Sequence, residues 1–136
     1  MTVIRKDDLM SQEVAERFKK ALWKLEGDRD VEALVELHLE DCSVGNVAVP
    51  KTFEGHDGLR EFWTNYRNTF DEMKSEFRNV FADGAGHAAL EWTTNATEDG
   101  KNVSYEGVSI LEIEGDKVKR FMAYFDPRSL TEQIVD

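Results

Sequence analysis

The C-terminal third of the chain constrains the fold most, because it contains three consecutive segments with the alternation typical of β-strands. The segments cover residues 88–96, 103–113 and 118–124, and short polar turns separate them. A fourth segment, residues 75–82, precedes them and runs into the glycine-rich turn at residues 83–86. The sequence therefore predicts four long strands that follow one another as an antiparallel meander.

The N-terminal half predicts three helices. The first is expected to begin with Ser11 as its cap and to end at Gly27. Asp28 is expected to cap a second helix that reaches His38, so the first two helices form a hairpin. Asp57 is expected to cap the third helix, which carries a broad aromatic stripe.

A short strand and a loop complete the predicted order. Residues 42–49 are predicted as an edge strand, and residues 50–56 as a loop at the rim of a pocket. Helices followed by a run of strands indicate the α+β class, with three N-terminal helices packed on one face of a curved, mainly antiparallel sheet. We expect one domain over residues 1–136 with its core at about residues 11–130.

Composition limits the partners that the chain is expected to have. With 17 basic and 28 acidic residues, the net charge is −11, and the basic residues do not cluster. We therefore expect neither nucleic acid nor membrane as a partner. A cytoplasmic location is predicted, since residues 1–10 carry charges where a signal peptide would be apolar. The single cysteine, Cys42, excludes an internal disulfide and is expected in the core.

The predicted strands have one face for the core and an outer face that also carries apolar residues. The outer set consists of Val108, Ile110, Met122 and Tyr124. Such a face is expected to form a homodimer through the outer side of the sheet, or to be covered in part by the termini of the chain.

The order and spacing of seven short segments resemble those of SnoaL-like proteins in the nuclear transport factor two-like superfamily. This group includes ketosteroid isomerases, limonene epoxide hydrolases and polyketide cyclases, and the resemblance implies a cone-shaped, cystatin-like roll. The segments are residues 27–28, 37–44, 55–59, 90–93, 106–108, 115–118 and 124–127. They are specific for the fold and not for an activity, because this fold hosts many reactions.

The resemblance to limonene epoxide hydrolases implies where their catalytic residues would fall. The arginine and the two aspartates correspond to Trp92, Thr94 and Ala123, none of which can activate water. The water-holding asparagine corresponds to Asn46, whereas its tyrosine companion corresponds to Val44.

The resemblance to ketosteroid isomerases gives a similar result. Their carboxylate base, tyrosine and protonated aspartate correspond to Asn46, Leu22 and Ser109. An amide cannot accept a proton as a carboxylate does. Polyketide cyclases of this fold also use a pocket carboxylate, and no Asp or Glu is predicted to face the interior of the cone.

The predicted pocket is apolar and aromatic and suits a small hydrophobic molecule with one or two hydrogen-bonding groups. The candidate ligand-binding residues are Phe18, Leu22, Phe62, Trp63, Leu90, Trp92, Thr94, Tyr105, Ser109, Phe121, Ala123 and Phe125, and Leu34 and Leu111 are expected beside them. His38, Asn46 and Tyr66 are the candidate catalytic residues.

Two functions stay open on these residues. The first is a small-molecule-binding protein of the SnoaL-like group that lacks the acid–base carboxylates of its enzymes. The alternative is an isomerase, cyclase or hydrolase that uses His38 with neutral polar residues, although His38 is also typical of a structural histidine at a helix C-terminus. No cofactor is expected, and no metal site is predicted because the three histidines lie far apart in the chain.

Overall fold

A computed structural model describes residues 6–134 of the chain. Helices precede the long strands, as the sequence predicts, and the α+β class is confirmed. The elements are α1 (Lys6–Asp28), α2 (Glu32–Leu37), β1 (His38–Asn46), β2 (Phe53–Glu54), α3 (Gly55–Asn68), β3 (Glu72–Ala82), β4 (His87–Glu98), β5 (Lys101–Glu114), β6 (Lys117–Phe125) and α4 (Pro127–Ile134).

The strands form one open, six-stranded sheet in the order β2-β1-β6-β5-β4-β3. β1 runs parallel to β6, and every other neighbouring pair is antiparallel. The register shifts between Phe77 and Asn79 in β3 and between Glu112 and Ile113 in β5. A bulge bends its strand and increases the local twist. The sheet therefore curves, and α1 and α3 pack against its concave face.

The inner face of β4 shows how the sequence pattern builds this core. Ala88, Leu90, Trp92, Thr94 and Ala96 alternate along the strand and are all buried, as the alternation predicts. Burying an apolar side chain of the size of leucine stabilises the fold by about 1.5–3 kcal/mol. The strand is thus held against the helices, and its polar Thr94 is carried into the interior.

The bounds of the first helix differ from the prediction. α1 extends N-terminally beyond Ser11, which is buried within the helix and does not cap it. The helix also continues past Gly27 to Asp28. Arg29 then adopts a left-handed conformation with φ 59°, and its N–H bonds to the carbonyl of Leu25 at 3.0 Å. A tertiary-packed helix can end at a residue other than glycine when such a bond satisfies its last carbonyls.

The second helix is shorter than predicted. α2 begins after Val31 and makes no use of Asp28 as a side-chain cap; instead, the carboxylate of Asp30 accepts the N–H of Glu32 at 3.1 Å. His38 belongs to β1 and not to the helix, because its backbone is already extended with φ −102° and ψ 148°.

The remaining differences lie around the predicted edge strand and the last proline. β1 starts earlier than residue 42 and ends at Asn46, and α3 starts at Gly55, so that Asp57 lies in its first turn. The two-residue strand β2 and the helix α4 were not predicted. Pro127 ends the strand region as expected, but it is also the first residue of α4. Proline lacks a backbone N–H, and at the start of a helix that N–H would have no acceptor within the helix.

Candidate functional site

A small chamber lies between the concave face of the sheet and the helices α1 and α3. Its volume is about 60 Å³. Rings and aliphatic side chains form most of its wall, and a few hydroxyl and amide groups interrupt them. It is lined by Phe18, Leu22, Asn46, Phe62, Trp63, Tyr66, Ser75, Trp92, Thr94, Tyr105, Ser109, Phe121, Ala123 and Phe125.

A larger and more open vestibule of about 330 Å³ adjoins the chamber. It lies between the N-terminal part of α4, the C-terminal half of α3 and the loop after β1. The two cavities have in common the residues Asn46, Phe62, Tyr66, Tyr105 and Phe125. Ligand pockets generally measure about 300–1,000 Å³. An organic molecule larger than the chamber would therefore extend past these shared residues into the vestibule.

The chamber is built from aromatic rings that pack edge to face. Trp63 in α3 contacts Phe62, Tyr66 and Phe121 with ring centroids 5.0, 5.2 and 4.8 Å away. Aromatic pairs at such separations stabilise one another beyond their buried area and hold the rings in fixed orientations. The wall is therefore rigid on the helix side.

Trp92 and Trp63 differ in what their indole N–H groups contact. The Trp92 N–H donates to the Ser109 hydroxyl at 2.9 Å across neighbouring strands. The Trp63 side chain is 2% exposed, and its Nε1 has no hydrogen-bond partner among the described residues. An unpaired buried donor costs about 1–3 kcal/mol unless a water or ligand accepts from it. Trp63 is also one of the residues that line the chamber.

Asn46 presents a second available donor. Its side-chain oxygen accepts the N–H groups of Ala48 and Val49 at 2.9 and 3.1 Å, which assigns the orientation of the amide. The amide nitrogen makes no hydrogen bond within the described part of the chain, and Asn46 lines both cavities. It can therefore donate to a molecule that bridges them.

A buried carboxylate that was not predicted from the sequence lies directly behind the chamber wall, although no Asp or Glu among the described residues lines either cavity. Glu26 in the last turn of α1 is 2% exposed. Its Oε1 accepts the backbone N–H of Ser75 at 2.9 Å, and its Oε2 accepts the hydroxyls of Tyr66 at 2.8 Å and Ser75 at 2.5 Å. Three donors thus converge on one carboxylate, which accepts from the Ser75 N–H and from two hydroxyls.

The sequence contained a signal for Glu26. Phe18, Leu22 and Glu26 are spaced four residues apart, and residues at this spacing lie on one face of a helix. Because Phe18 and Leu22 were predicted to line the pocket, the same face places Glu26 beside it. Ser75, which also lines the chamber and was not predicted to do so, could have been found from the alternation of β3, where Met73 and Ser75 are buried.

The hydrogen bonds around Glu26 continue along the wall. The Ser75 hydroxyl also contacts the Thr94 hydroxyl at 2.7 Å. Since Ser75 donates its single hydroxyl hydrogen to Glu26, Thr94 must donate to Ser75. The chain of donors therefore runs from Thr94 through Ser75 to Glu26, and separately from Tyr66 to Glu26.

Both tyrosines of the chamber stay protonated in this setting. The Tyr66 ring is partly exposed, but its hydroxyl is in the interior, and burial raises the pKa of Tyr66 well above its usual value, with the Glu26 charge as the second cause. Burial also raises the pKa of Tyr105, again with Glu26 second. Neither group is a source of phenolate near neutral pH.

His38 lies elsewhere, which corrects its expected place in the pocket. It lines neither the chamber nor the vestibule. Its Nδ1 donates to the Leu34 carbonyl at 2.7 Å, and its Nε2 is buried without a partner among the described residues. Burial lowers the pKa of His38 to about 4, with a smaller contribution from neighbouring His56. His38 is therefore a neutral histidine of the core near pH 7.

Most of the other residues predicted to line the pocket do line the chamber, whereas the three leucines Leu34, Leu90 and Leu111 do not. Leu90 is fully buried at 0% exposure and lies in the core behind the chamber, as do Leu34 and Leu111. The predicted residues that do line the chamber are Phe18, Leu22, Phe62, Trp63, Trp92, Thr94, Tyr105, Ser109, Phe121, Ala123 and Phe125, together with Asn46 and Tyr66. The positions that the resemblance equates with enzyme catalytic residues thus meet in one chamber, except Val44, which is buried in the core, and their catalytic roles stay predictions.

Within residues 6–134, no group of three or more His, Cys, Asp or Glu side chains is arranged to hold a metal ion. None of the described helices is both long enough and apolar enough to cross a membrane.

The family follows from comparison with known proteins. Residues 16–121 match the sequence model of the SnoaL-like domain. The chain belongs to the SnoaL-like domain family. Comparison with curated proteins gives no significant match.

Solved structures show the same fold as this SnoaL-like chain. An LEH-like epoxide hydrolase from M. tuberculosis is 18% identical, with a TM-score of 0.70 and coverage of 94% of each chain. TerC, co-crystallised with polyporic acid, is 20% identical, with a TM-score of 0.76 and coverage of 92% of this chain and 98% of TerC. A ketosteroid isomerase-like protein from Catenulispora acidiphila DSM 44928, in complex with trimethylamine, is 15% identical, with a TM-score of 0.77 and coverage of 89% and 91%. Likeness at these identities establishes the fold alone.

Proposed function

We propose that the chamber and the vestibule bind a small, uncharged, largely apolar organic molecule that carries a hydrogen-bond-accepting oxygen. The observation that carries this proposal is Trp63, whose buried N–H lacks an acceptor in the wall of an aromatic chamber. A carbonyl or ether oxygen would satisfy that donor and relieve the cost of leaving it unpaired.

The chemistry of the lining supports an uncharged ligand. Among the described residues that line either cavity, none is Asp, Glu, Lys, Arg or His. An ion would lose its hydration on entering and gain no opposite charge in direct contact, which is costly in an apolar site. The aromatic rings instead favour flat or compact apolar groups.

The size of the two cavities indicates how such a molecule would bind. A chamber of about 60 Å³ admits a few water molecules or one end of an organic molecule. The ligand is therefore expected to place its oxygen-bearing end near Trp63 and to extend past Tyr66 and Phe125 into the vestibule. TerC was crystallised with polyporic acid and the Catenulispora protein with trimethylamine, so pockets of this fold accept small organic molecules. One of these molecules is an acid and the other a base, so the preference for an uncharged ligand rests on the lining of this chain alone.

The alternative function, an acid–base enzyme that uses His38, has less support. His38 lies outside both cavities and is neutral near pH 7. Asn46 and Tyr66 line the chamber, and their assignment as catalytic residues stays a prediction. Binding is thus the function that the geometry supports best.

The proposal is tested with a matched pair of probes, acetophenone and α-methylstyrene, in which a carbonyl replaces a methylidene group of similar shape. Wild type is expected to bind the ketone about two- to tenfold more tightly, because only the ketone accepts from Trp63. Trp63→Phe keeps an aromatic ring, removes the N–H and should abolish this preference. Isothermal titration calorimetry measures both dissociation constants.

A blocking variant controls for the place of binding. Ala123→Leu adds bulk inside the chamber and should weaken both probes, whereas Ala89→Leu makes the same change on the outer face of the sheet and should leave both unchanged. Absence of binding by wild type, or equal binding in the Ala123→Leu variant, contradicts the proposal.

A further inference from the structure

The hydrogen bonds around Glu26 determine whether the hydroxyl groups of the chamber wall donate to a ligand or accept from it. The proposed function makes no use of this property. Tyr66 and Ser75 each possess one hydroxyl hydrogen, and both hydrogens are donated to Glu26 Oε2. Thr94 in turn donates its hydrogen to Ser75. The hydrogens of these three hydroxyls are therefore directed along the wall towards Glu26, and the Tyr66 oxygen retains a lone pair that can accept from a molecule in the chamber. The Thr94 oxygen already has the Tyr105 hydroxyl as a partner.

Hydrogen bonds hold this arrangement in place. None of the ion pairs formed by the described residues includes Glu26. The carboxylate is instead stabilised by the Ser75 N–H, a backbone donor whose position is fixed by the pairing of β3 with β4. The hydroxyls of Tyr66 and Ser75 both donate to the same oxygen of Glu26, so Glu26 sets the direction in which these two groups donate.

We infer that Glu26 acts as a positioning residue that makes one wall of the chamber a hydrogen-bond acceptor, so that the site selects a ligand with an O–H or N–H group. This inference rests on the proposed function and narrows its ligand class. The molecule accepts from Trp63 at one group and donates to Tyr66 at another, as a hydroxyl-substituted aromatic ketone does. A ligand that lacks the donor would leave buried lone pairs unpaired and would bind more weakly.

Glu26→Gln is expected to reverse the direction of hydrogen-bond donation in the chamber wall with little change in the shape of the side chain. Oε1 of the amide can still accept the Ser75 N–H, while the NH₂ group takes the place of Oε2 and donates to the oxygens of Tyr66 and Ser75. Both hydroxyl hydrogens are then free to turn towards the chamber. The wall changes from acceptor to donor, and a purely structural role for Glu26 does not predict this change.

The experiment compares 4′-hydroxyacetophenone with its methyl ether, which keeps the ring and the carbonyl and lacks the donor. Wild type should bind the hydroxy compound about two- to tenfold more tightly than the ether. In Glu26→Gln the ratio should fall to one or invert. Glu106→Gln, which makes the same change at an exposed position on β5, should keep the wild-type ratio.

Tyr66→Phe provides a second variant if Glu26→Gln folds poorly. It removes one acceptor and leaves the carboxylate in place, so the preference for the hydroxy compound should fall toward one without a general loss of affinity for the ether. Rescue of the wild-type ratio in Glu26→Asp would be further support, since a shorter carboxylate keeps the direction of donation.

The outcomes separate this inference from the proposed function. If wild type binds neither compound, the proposed function fails. If it binds both with equal affinity, the cavity binds ligands and the role of Glu26 is wrong. A preference for the hydroxy compound that survives unchanged in both Glu26→Gln and Tyr66→Phe also overturns the inference.

Discussion

Glu26 in the last turn of α1 and His38 at the start of β1 are ionisable side chains, and both are only 2% exposed. Their environments are opposite. Every oxygen of Glu26 accepts at least one hydrogen bond, from donors on β3 and α3. His38 makes one bond through Nδ1 to Leu34, and its Nε2 has no partner within residues 6–134. Burial alone therefore does not tell which ionisable residue serves a site.

The difference lies in what surrounds each group. The partners of Glu26 are Tyr66 and Ser75, which line the chamber, so that its charge acts on the cavity. The neighbours of His38 are a helix carbonyl and His56, and burial keeps it neutral. Residue type pointed to histidine as the group for proton exchange, whereas tertiary contacts connect the glutamate to the candidate site.

The largest expected effect comes from removing the Glu26 carboxylate. Glu26→Ala leaves the Ser75 N–H and the hydroxyls of Ser75 and Tyr66 without their acceptor, and each unsatisfied buried group costs about 1–3 kcal/mol. We expect the free energy of unfolding to fall by about 4 kcal/mol in urea denaturation. Glu106→Ala on the exposed side of β5 should change it by less than about 0.5 kcal/mol. Equal stability of the two variants would show that the network around Glu26 is not formed.

The second prediction concerns pH and His38. Its pKa is about 4 in the folded protein against an ordinary value of 6.5, so below pH 6.5 the unfolded chain binds a proton that the folded protein does not. The stability that neutral His38 contributes is complete above pH 6.5 and is lost as the pH falls towards 4. The loss amounts to about 3 kcal/mol over this range.

His38→Leu should remove that part of the pH dependence, because leucine does not titrate. The measurement is the free energy of unfolding at several pH values between 7 and 4, expressed as the difference from wild type. His87→Leu serves as the control, since His87 is exposed and paired with Asp83 at 2.8 Å. If the His38 variant retains the full acid dependence of wild type, the environment assigned to His38 is incorrect.

A smaller effect is expected for the coupling between Tyr66 and Ser75. Both donate to Glu26 Oε2, so removing one hydroxyl changes the carboxylate that the other contacts. A double-mutant cycle of Tyr66→Phe and Ser75→Ala should give a coupling energy of about 1 kcal/mol. The same cycle with Glu26→Gln as background should give a different value, and strictly additive effects in wild type would argue against a shared acceptor.

The smallest effect on folding is expected on the outer face of the sheet, where the homodimer predicted from sequence stays a proposal. Val108, Ile110 and Met122 are partly exposed there, and Tyr124 is 40% exposed. Tyr124→Asp should convert a dimer into a monomer in analytical ultracentrifugation and change ligand binding little, because Tyr124 lines neither cavity. A wild type that is monomeric at high concentration would refute the proposed interface.

Much of the fold could be predicted because local patterns and tertiary packing agree. The alternation in β4 selects the same buried face that the structure shows, and the turn at residues 114–117 separates β5 from β6 as expected. The helix ends were less predictable. α1 ends at Asp28 through bonds made by Arg29 and Asp30, and glycine propensity alone pointed to Gly27.

The candidate site divides in the same way. By itself, the sequence determined the class of fold, the aromatic character of the chamber and the positions that converge on it, because periodicity assigns each side chain to a face. Only the tertiary structure decided that Trp63 lacks an acceptor, that His38 lies apart and that Glu26 contacts Ser75, which is 49 residues away in the chain. Periodicity fixes direction within one element, whereas hydrogen-bond partners depend on how separate elements meet.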